Sequence, residues 1–393
     1  MKYILMHQDY PVFEVLLDEA FRIKKITDNF NEDRIPLIIN KNNIEKYILN
    51  NWLFDRGIPE KRKELKAILS AHKMRSKEEL IVKNLGLSLI DHYWLKTEKD
   101  TRTWKDVNYH DNHFNQEGNE LYTGGSAKIK SEYKYIDINK KPNPNNVSSG
   151  MLPKRWIKEN NKMYLLKGTE LSTHQEPFNE KIISDYLELL NVDHVSYDLH
   201  WQNDIPYSKC EYMLKPNEEL IHSYCFLHGI QKNNNTSYYE HYINGGVSLG
   251  LDRNMFKKEL EYMIMIDYIT ANTDRHWSNF GIIRDADTLK AIRPAPIYDN
   301  GTALYAKYPT GLINKNIDRL KNQSFRNKHD TNIKLVKDFS LLQNENIKTI
   351  LEILKTGYDE GFVEISRQNV IQNATKQRLN NIFNYAKIGR AHV

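Results

Sequence analysis

The chain has 393 residues, of which 40% are hydrophobic and 11% aromatic, and its formal net charge is only +5. This apolar content excludes a disordered chain, and the length predicts two or three domains with a substantial core. The near balance of charge provides no global polybasic field, so direct binding of nucleic acid or of an anionic membrane is not indicated.

The sequence predicts a soluble protein of the cytoplasm. Its two cysteines cannot build a disulfide framework and fit a reducing compartment. Residues 1–9 alternate between apolar and polar and lack the apolar run of a signal peptide. No stretch approaches the roughly 18 consecutive apolar residues of a membrane span.

Residues 1–115 are expected to form an N-terminal region of their own. Residues 1–26 alternate in three short runs, which predicts a small antiparallel meander. Two short helices are expected at Glu60–His72 and Lys77–Asn84, the second opened by a capping box at Ser76–Glu79. This helix pair is either a DNA-binding helix-turn-helix or a packing unit, and the packing unit is favoured because such pairs are common.

Residues 116–215 have the pattern of a small sheet with one helix. Residues 116–148 are polar and form either a linker or a hairpin with a mobile tip. Strand-like runs follow at Arg155–Ile157, Met163–Lys167, Val195–Leu199 and Lys209–Leu214. A helix with one apolar face, Ile182–Leu190, lies between the second and third of these runs, which indicates an α+β fold.

Residues 216–387 are predicted to be mainly helical. Phe256–Ile269 is strongly apolar and should be buried, and amphipathic helices are expected at Ile347–Leu354 and Val370–Tyr385. The last six residues, 388–393, resemble the translation of a sequencing adapter and are left out of the fold prediction. An ordinary polar tail is an equally valid interpretation of these six residues.

Chemistry-bearing residues concentrate after the apolar helix. Asp274 and Asn279 have the spacing Asp-x-x-x-x-Asn, which suits a loop where a carboxylate takes a proton and an amide oxygen faces a metal ion. The runs Phe280–Arg284 and Ile292–Ile297 flank a turn and should pair as a hairpin. That hairpin would return Asp299 beside Asn279, and two oxygen ligands suit Mg²⁺.

The segment 272–301 resembles the catalytic core of the HipA-like serine/threonine kinases. It is also similar to the Asp-Arg-His-x-x-Asn loop of phosphoinositide-type kinases, and Tyr298–Gly301 resembles the kinase Asp-Phe-Gly element, with Gly301 expected to permit the turn. The resemblance implies a bilobal protein-kinase-like fold, with a small antiparallel sheet in the N-lobe and a mainly helical C-lobe, and it implies ATP and Mg²⁺ as cofactors. By the same resemblance, Asp274 is the catalytic base, His276 supports the loop, and Asn279 and Asp299 hold Mg²⁺.

The phosphate loop is predicted less sharply. Ser148, Ser149 and Gly150, followed by Lys154, resemble the Ser/Gly-rich loop and trailing lysine of HipA-like proteins, although a simple turn would explain them equally well. Tyr122–Lys128 is a rival Gly-rich loop without a clear strand after it.

Further nucleotide contacts follow from the same resemblance. Lys167, at the end of a strand, would contact the phosphates, and Glu180 in the next helix would orient it. The inter-lobe hinge would be Glu211–Leu214, whose backbone at Glu211 and Met213 would bind adenine.

The predicted function is ATP- and Mg²⁺-dependent transfer of a γ-phosphoryl group to a Ser or Thr hydroxyl of a protein. HipA-like relatives suggest self-phosphorylation at Ser148 or Ser149, and a toxin role with a helix-turn-helix antitoxin. Residues 1–115 depart from the N-terminal subdomain of HipA toxins and resemble the front region of another group of HipA-domain proteins at Leu87–Trp94, so the toxin role does not follow from the kinase core. The rivals are a lipid or small-molecule kinase and a catalytically silent DNA-associated regulator.

Overall fold

The computed structural model describes residues 1–114, 116, 119–123, 142–170, 174–317, 319–359 and 361–390. Most of the polar segment 116–148, part of the rival Gly-rich loop Tyr122–Lys128 and the end of the tail 388–393 lie outside these residues. The chain divides into two compact units. Unit 1 comprises Met1–Lys167, Leu214–Lys232 and Ile283–Lys290, and unit 2 comprises Gly168–Met213, Asn233–Ile282 and Ala291–Val393.

The described residues form runs of strands and runs of helices, as is typical of an α+β fold. The strands are β1 Lys2–His7, β2 Tyr10–Leu17, β3 Ile23–Asn29, β4 Tyr93–Lys96, β5 Lys154–Glu159, β6 Lys162–Lys167, β7 Tyr197–Gln202, β8 Ile205–Glu211, β9 Glu218–His222, β10 Gly281–Asp285 and β11 Ala291–Pro294. The helices are α1 Lys46–Phe54, α2 Leu65–Ala71, α3 Lys77–Lys83, α4 Trp104–Val107, α5 Gln175–Leu190, α6 Tyr224–Gly229, α7 Tyr238–Ser248, α8 Arg253–Ile269, α9 Ile313–Asn316, α10 His329–Asn332, α11 Ile350–Thr356 and α12 Ile365–Arg390. None of these helices has the length and apolar character needed to cross a bilayer.

The predicted antiparallel meander is confirmed in unit 1. Strands β1, β2 and β3 pair in antiparallel order, and β4 adds to the other edge of β1, so the strand order is β3-β2-β1-β4. Leu5 lies opposite Phe13 on one side and Leu95 on the other. Because side chains alternate across a strand, these three residues share one face, and all are buried in the core that α1 covers with Leu49 and Leu53.

The two short helices pack against each other. Leu65 and Ile68 of α2 form one apolar cluster with Leu80 of α3. Ser76 caps α3 by accepting the N–H of Glu79 at 3.1 Å. The carboxylate of Glu79 accepts from Arg75 rather than from Ser76, so the capping box is only half formed. Helix α2 begins five residues later than predicted, at Leu65.

The predicted hairpins are present. Strands β5 and β6 pair antiparallel around Asn160 and Asn161, which both have left-handed φ angles, 48° and 63°, as a two-residue mirror-image turn requires. Strands β7 and β8 of unit 2 pair in the same way. The hairpin expected after the catalytic loop is confirmed by the bond from Ala295 N–H to Gly281 O at 3.0 Å.

Strand β9 of unit 1 was not predicted, because the sequence pattern after residue 216 indicated helices. Its second residue, Glu219, is fully buried and accepts from Arg284 Nε at 2.6 Å and from the His92 N–H at 2.7 Å. His7 Nε2 lies 3.0 Å from the same carboxylate. A buried charge needs such partners, and they come from sequence positions far from residue 219, so local pattern cannot indicate the strand.

Unit 2 is built around helix α8. Its residues Met265, Ile266 and Ile269 are completely buried, which confirms the predicted apolar helix. The predicted C-terminal helices are α11 and α12, and α12 packs on α8 through Arg378. The guanidinium of Arg378 stacks on the ring of Tyr268, 4.0 Å from its centroid. This core carries the loop that follows α8.

Glu219→Ala should unfold unit 1 at lower urea concentration. The substitution leaves the Arg284 guanidinium buried without its carboxylate, which costs about 3–5 kcal/mol. Burial alone would raise the pKa of Glu219, but Arg284 and His7 hold it well below its ordinary value of 4.5. The stabilisation is therefore present above pH 4.5 and is lost as the pH falls through the lower, folded-state pKa.

Urea unfolding at neutral and acidic pH measures this effect. Asp33→Ala is the control, because the Asp33 side chain is 91% exposed in its pair with Lys41. Equal midpoints for the two variants would contradict the role assigned to Glu219.

Candidate active site

The loop after α8 is held in one conformation by its own side chains. Asn272 donates to the carboxylate of Asp267 at 3.1 Å, and its Oδ1 accepts the N–H of Asp274 at 3.0 Å. Asn279 Nδ2 donates to the carbonyl of Asp274 at 2.9 Å. Because the amide nitrogen of Asn279 is used in this bond, its oxygen is the atom that could face a metal ion.

The side chain of Arg275 connects this loop to helix α8 and to the segment that carries Asp299. The side chain is fully buried, and Nε and Nη2 each donate to Asp267 of α8 at 3.0 Å. Nη1 donates to Asn279 O at 2.8 Å and also to Tyr298 O, and Nη2 donates to Asn300 Oδ1 at 2.6 Å. Burial opposes the charge on Arg275, yet Asp267 raises the pKa of the guanidinium overall. One cation therefore joins α8, the Asp274–Asn279 loop and the segment that carries Asp299.

Asp299 occupies an unusual backbone conformation. Its φ is +59°, in the left-handed region that a residue with a Cβ rarely adopts. The next residue, Asn300, donates its N–H to Glu180 Oε2 of α5 at 2.9 Å. Strain of this kind persists only where surrounding contacts impose it, and it is concentrated at functional sites.

Gly301 lies in a turn, as the sequence predicts, but the left-handed residue beside it is Asp299. Gly301 also lies close to α5. A Cβ at Gly301 would lie 3.2 Å from Glu176 Cβ and 3.4 Å from Glu180 Oε1.

A second buried polar cluster holds the segment that follows Asp299. Asn179 of α5 donates to the carbonyls of Gly301 and Ala303 at 2.8 and 2.7 Å. Tyr358 O–H donates to Asn179 Oδ1 at 2.8 Å, so the region between α11 and α12 reaches the same amide. Arg367 of α12 extends the cluster by donating to Gln175 Oε1 at 2.8 Å.

The carboxylate of Asp274 faces partly toward solvent. Its Oδ1 lies 3.1 Å from Lys307 Nζ and accepts from Gln323 Nε2 at 3.2 Å. His276 contributes to the turn itself, because its carbonyl accepts the Asn279 N–H at 2.8 Å and its Nδ1 accepts the Ser278 N–H at 3.2 Å. The carboxylate oxygen at this open position is where a substrate hydroxyl could approach.

The predicted phosphate loop lies in unit 1. Ser148 is buried, whereas Ser149 and Gly150 are exposed. Gly150 has a φ of +93°, a conformation that residues with a Cβ rarely adopt, and the Lys154 side chain lies against it. The buried Arg62 holds both ends by donating to Ser148 O at 3.2 Å and to Lys154 O at 3.1 Å.

The remaining predicted residues are distributed over both units. Lys167 ends β6 in unit 1 and is only 4% exposed, which is unusual for a lysine at the end of a strand. Glu180 is buried in α5 of unit 2. Glu211 ends β8 as an exposed residue, and Met213 follows it half-buried. Unit 2 thus brings Glu180 together with the Asp274, Asn279 and Asp299 loops, and the nucleotide roles of the other residues stay predictions.

Four residues that contact the candidate active site or the predicted phosphate loop were not assigned from the sequence. They are Arg62, Arg275, Lys307 and Gln323. Of these, only Arg275 could have been found from the sequence, since it lies between Asp274 and His276. Asp267 is the one carboxylate in the apolar run Met263–Ile269, which indicates that a cation must lie near it. A lone acid in a buried helix requires a buried cation.

Arg275→Ala should destabilise unit 2 by about 3–5 kcal/mol, because it leaves the carboxylate of Asp267 buried without its cation. Arg275→Lys should recover only part of this, because an ammonium cannot reproduce the forked contacts. Urea unfolding measures both. Arg253→Ala is the matched control, since the Arg253–Glu240 pair is about half exposed on both sides. Equal losses in Arg275→Ala and Arg253→Ala would contradict the central position given to Arg275.

No protein-family model and no curated protein sequence matches the chain. Among solved structures, it is similar to HipA of Shewanella oneidensis MR-1, solved with HipB and its operator DNA, with a TM-score of 0.50, 10% identity and coverage of 98% of this chain and 97% of that one. It also matches the Helicobacter pylori proinflammatory kinase CtkA, with a TM-score of 0.47, 16% identity and coverage of 59% of this chain and 95% of CtkA. The likeness to HipA confirms the predicted α+β, HipA-like kinase fold.

Proposed function

We propose that the protein is an ATP- and Mg²⁺-dependent kinase that transfers the γ-phosphoryl group to a Ser or Thr hydroxyl of a protein. The observation that carries the proposal is the buried Arg275, which ties the Asp274–Asn279 loop to the segment of Asp299. Phosphoryl transfer requires a base and metal ligands, and the protein itself forms no covalent bond in it. A rigid arrangement of these groups is therefore the main requirement.

Each residue of the proposed site has a distinct role. Asp274 accepts the proton of the acceptor hydroxyl at its partly exposed oxygen. Asn279 and Asp299 would hold Mg²⁺, and one amide oxygen with one carboxylate suits a metal that is also bound by phosphates and water. The metal would neutralise charge on the β- and γ-phosphates. Lys307, 3.1 Å from Asp274, supplies a cation where the transferred group would pass.

Nucleotide binding would involve the predicted phosphate loop and its neighbours. Ser148, Ser149 and Gly150 would contact the phosphates through their backbone, and Lys154 and Lys167 would neutralise them. Glu180 would orient Lys167, while the backbone at Glu211 and Met213 would bind adenine. The conformation of Gly150, with Lys154 folded against it, supports this part of the proposal.

A toxin role and a helix-turn-helix antitoxin partner belong to the proposal as predictions only. The solved HipA is bound to HipB and operator DNA, which supports a partner of that kind for a chain of similar fold. The packed α2–α3 pair does not favour direct DNA binding by this chain, because Leu80, Ile81 and Val82 of α3 are all buried.

Asp274→Asn should lower phosphoryl transfer at least 100-fold, since general-base catalysis alone contributes about 10²–10⁴-fold. Asp299→Asn should also lower transfer strongly, because it removes the carboxylate proposed to hold Mg²⁺. ATP should still raise the melting temperature of Asp274→Asn in a Mg²⁺-dependent manner, whereas Asp299→Asn should lose the Mg²⁺-dependent part. Radiolabelled ATP and thermal unfolding measure the two effects.

The acceptor pools separate the proposed activity from its rivals. Transfer from ATP to protein, but not to lipid or metabolite extracts, supports a protein kinase. Asp338→Asn, an exposed acid of unit 2, serves as the control and should retain full transfer. Wild-type turnover in either active-site variant would refute the assignment, and transfer to lipid alone would favour the phosphoinositide-type rival.

Self-phosphorylation, if it occurs in the phosphate loop, should modify Ser149 and not Ser148. Ser149 is exposed, whereas Ser148 is 6% exposed and its carbonyl is held by Arg62. A phosphate group beside Gly150 would carry negative charge where the nucleotide phosphates are expected, so it should inhibit transfer. Mass spectrometry after incubation with Mg²⁺ and ATP tests this, with Ser149→Ala as the control. Phosphate on Ser148 alone would contradict the prediction.

A further inference from the structure

Ten residues of unit 2, Arg319–Lys328, form a compact element beside the proposed catalytic loop, which we call the basic hairpin. Lys321 and Lys328 pair in an antiparallel bridge, and Asn322 N–H donates to Asn327 O at 3.0 Å. Ser324 at the tip is fixed by Asn322 Oδ1, which accepts from its N–H at 2.8 Å. The hairpin therefore has a defined conformation of its own.

The tip of the basic hairpin is attached directly to the catalytic loop. Gln323 Nε2 donates to Thr273 O at 2.9 Å and to Asp274 Oδ1 at 3.2 Å. Trp277 Nε1 donates to Ser324 O at 2.8 Å. Phe325 packs against Trp277, with 5.2 Å between ring centroids. Bonds from two sides of the tip place the hairpin next to the carboxylate that would accept the substrate proton.

The hairpin presents a concentrated positive charge. Its exposed cations are Arg319, Lys321, Arg326 and Lys328. None of these four forms an ion pair with another residue in the described part of the chain. Lys321 and Arg326 are two and three residues from Gln323, hence within about 11 Å of it along the backbone. That distance is comparable with the roughly 8 Å screening length at physiological ionic strength, so their charge acts on a substrate bound at Asp274.

We propose that the basic hairpin is a substrate-docking surface that selects acceptor segments flanked by Asp and Glu. The inference rests on the proposed kinase function and names its substrate class. A polypeptide acceptor places its flanking residues about 3.3–3.6 Å apart, so carboxylates two to four positions from the acceptor hydroxyl reach the hairpin cations. The net charge of +5 over 393 residues provides no extended basic field, which favours a short acidic peptide over nucleic acid.

Fluorescence anisotropy tests the docking surface without requiring catalysis. The probes are two labelled peptides with one central serine, the first flanked by Glu and Asp and the second by Gln and Asn. Wild-type protein should bind the acidic peptide about tenfold more tightly, and added NaCl should weaken only that binding. The variant Lys321→Glu/Arg326→Glu/Lys328→Glu should lose the preference.

The matched control carries the same charge change elsewhere in unit 2. Lys348→Glu/Lys355→Glu/Lys376→Glu replaces three exposed lysines outside the hairpin and should keep the preference for the acidic peptide. Equal binding of the two peptides by wild-type protein, or equal loss in both variants, would overturn the inference. Binding of single-stranded RNA in place of the acidic peptide would overturn it in favour of a nucleic-acid surface.

Kinetics separate this inference from the proposed function. Where transfer occurs, the hairpin variant should raise the KM for the acidic peptide about tenfold and leave the KM for ATP unchanged. Transfer without any acidic preference refutes the docking surface alone. Salt-sensitive acidic binding, with no ATP-dependent transfer to any acceptor, retains the docking surface and refutes the kinase.

Discussion

The buried ion pair between Asp267 and Arg275 is the interaction on which the site depends. A buried carboxylate and guanidinium are costly to desolvate, and they persist because the remaining donors of Arg275 satisfy carbonyls of two further segments. The same contacts that meet the cost of burial also determine where Asn279 and Tyr298 lie. The contacts that stabilise the core of unit 2 are therefore the same contacts that fix the geometry of the proposed active site.

The surrounding helices secure the same segments from other directions. Glu180 and Asn179 of α5 bind successive backbone groups after Asp299, and Tyr358 binds the amide of Asn179. The left-handed backbone of Asp299 is held by these contacts, since the residue has no intrinsic preference for it. The proposed metal ligand Asp299 would therefore be in place before a nucleotide binds, which would lower the reorganisation needed for the proposed transfer.

In each of the two units, a buried carboxylate is stabilised by side chains that donate hydrogen bonds to it. Glu219 of unit 1 binds Arg284 and His7, as Asp267 of unit 2 binds Arg275. Arg62 performs the corresponding task for the predicted phosphate loop by binding carbonyls at both ends of it. Each of these groups forms contacts between residues far apart in sequence. Substrate recognition would be left to exposed charge, and the basic hairpin concentrates such charge beside Asp274.

The amino-acid sequence by itself determined most of the local elements and predicted the candidate active site. Alternation in residues 1–26, the apolar run of α8 and the Asp-x-x-x-x-Asn spacing were sufficient because each depends on neighbouring residues. Strand β9, the contacts of Arg275 with Tyr298 and Asn300, and the approach of Lys307 and Gln323 to Asp274 were decided only by tertiary structure. These features arise from partners separated by tens to hundreds of residues, and a buried charge selects its partner by distance in space, which no local pattern records.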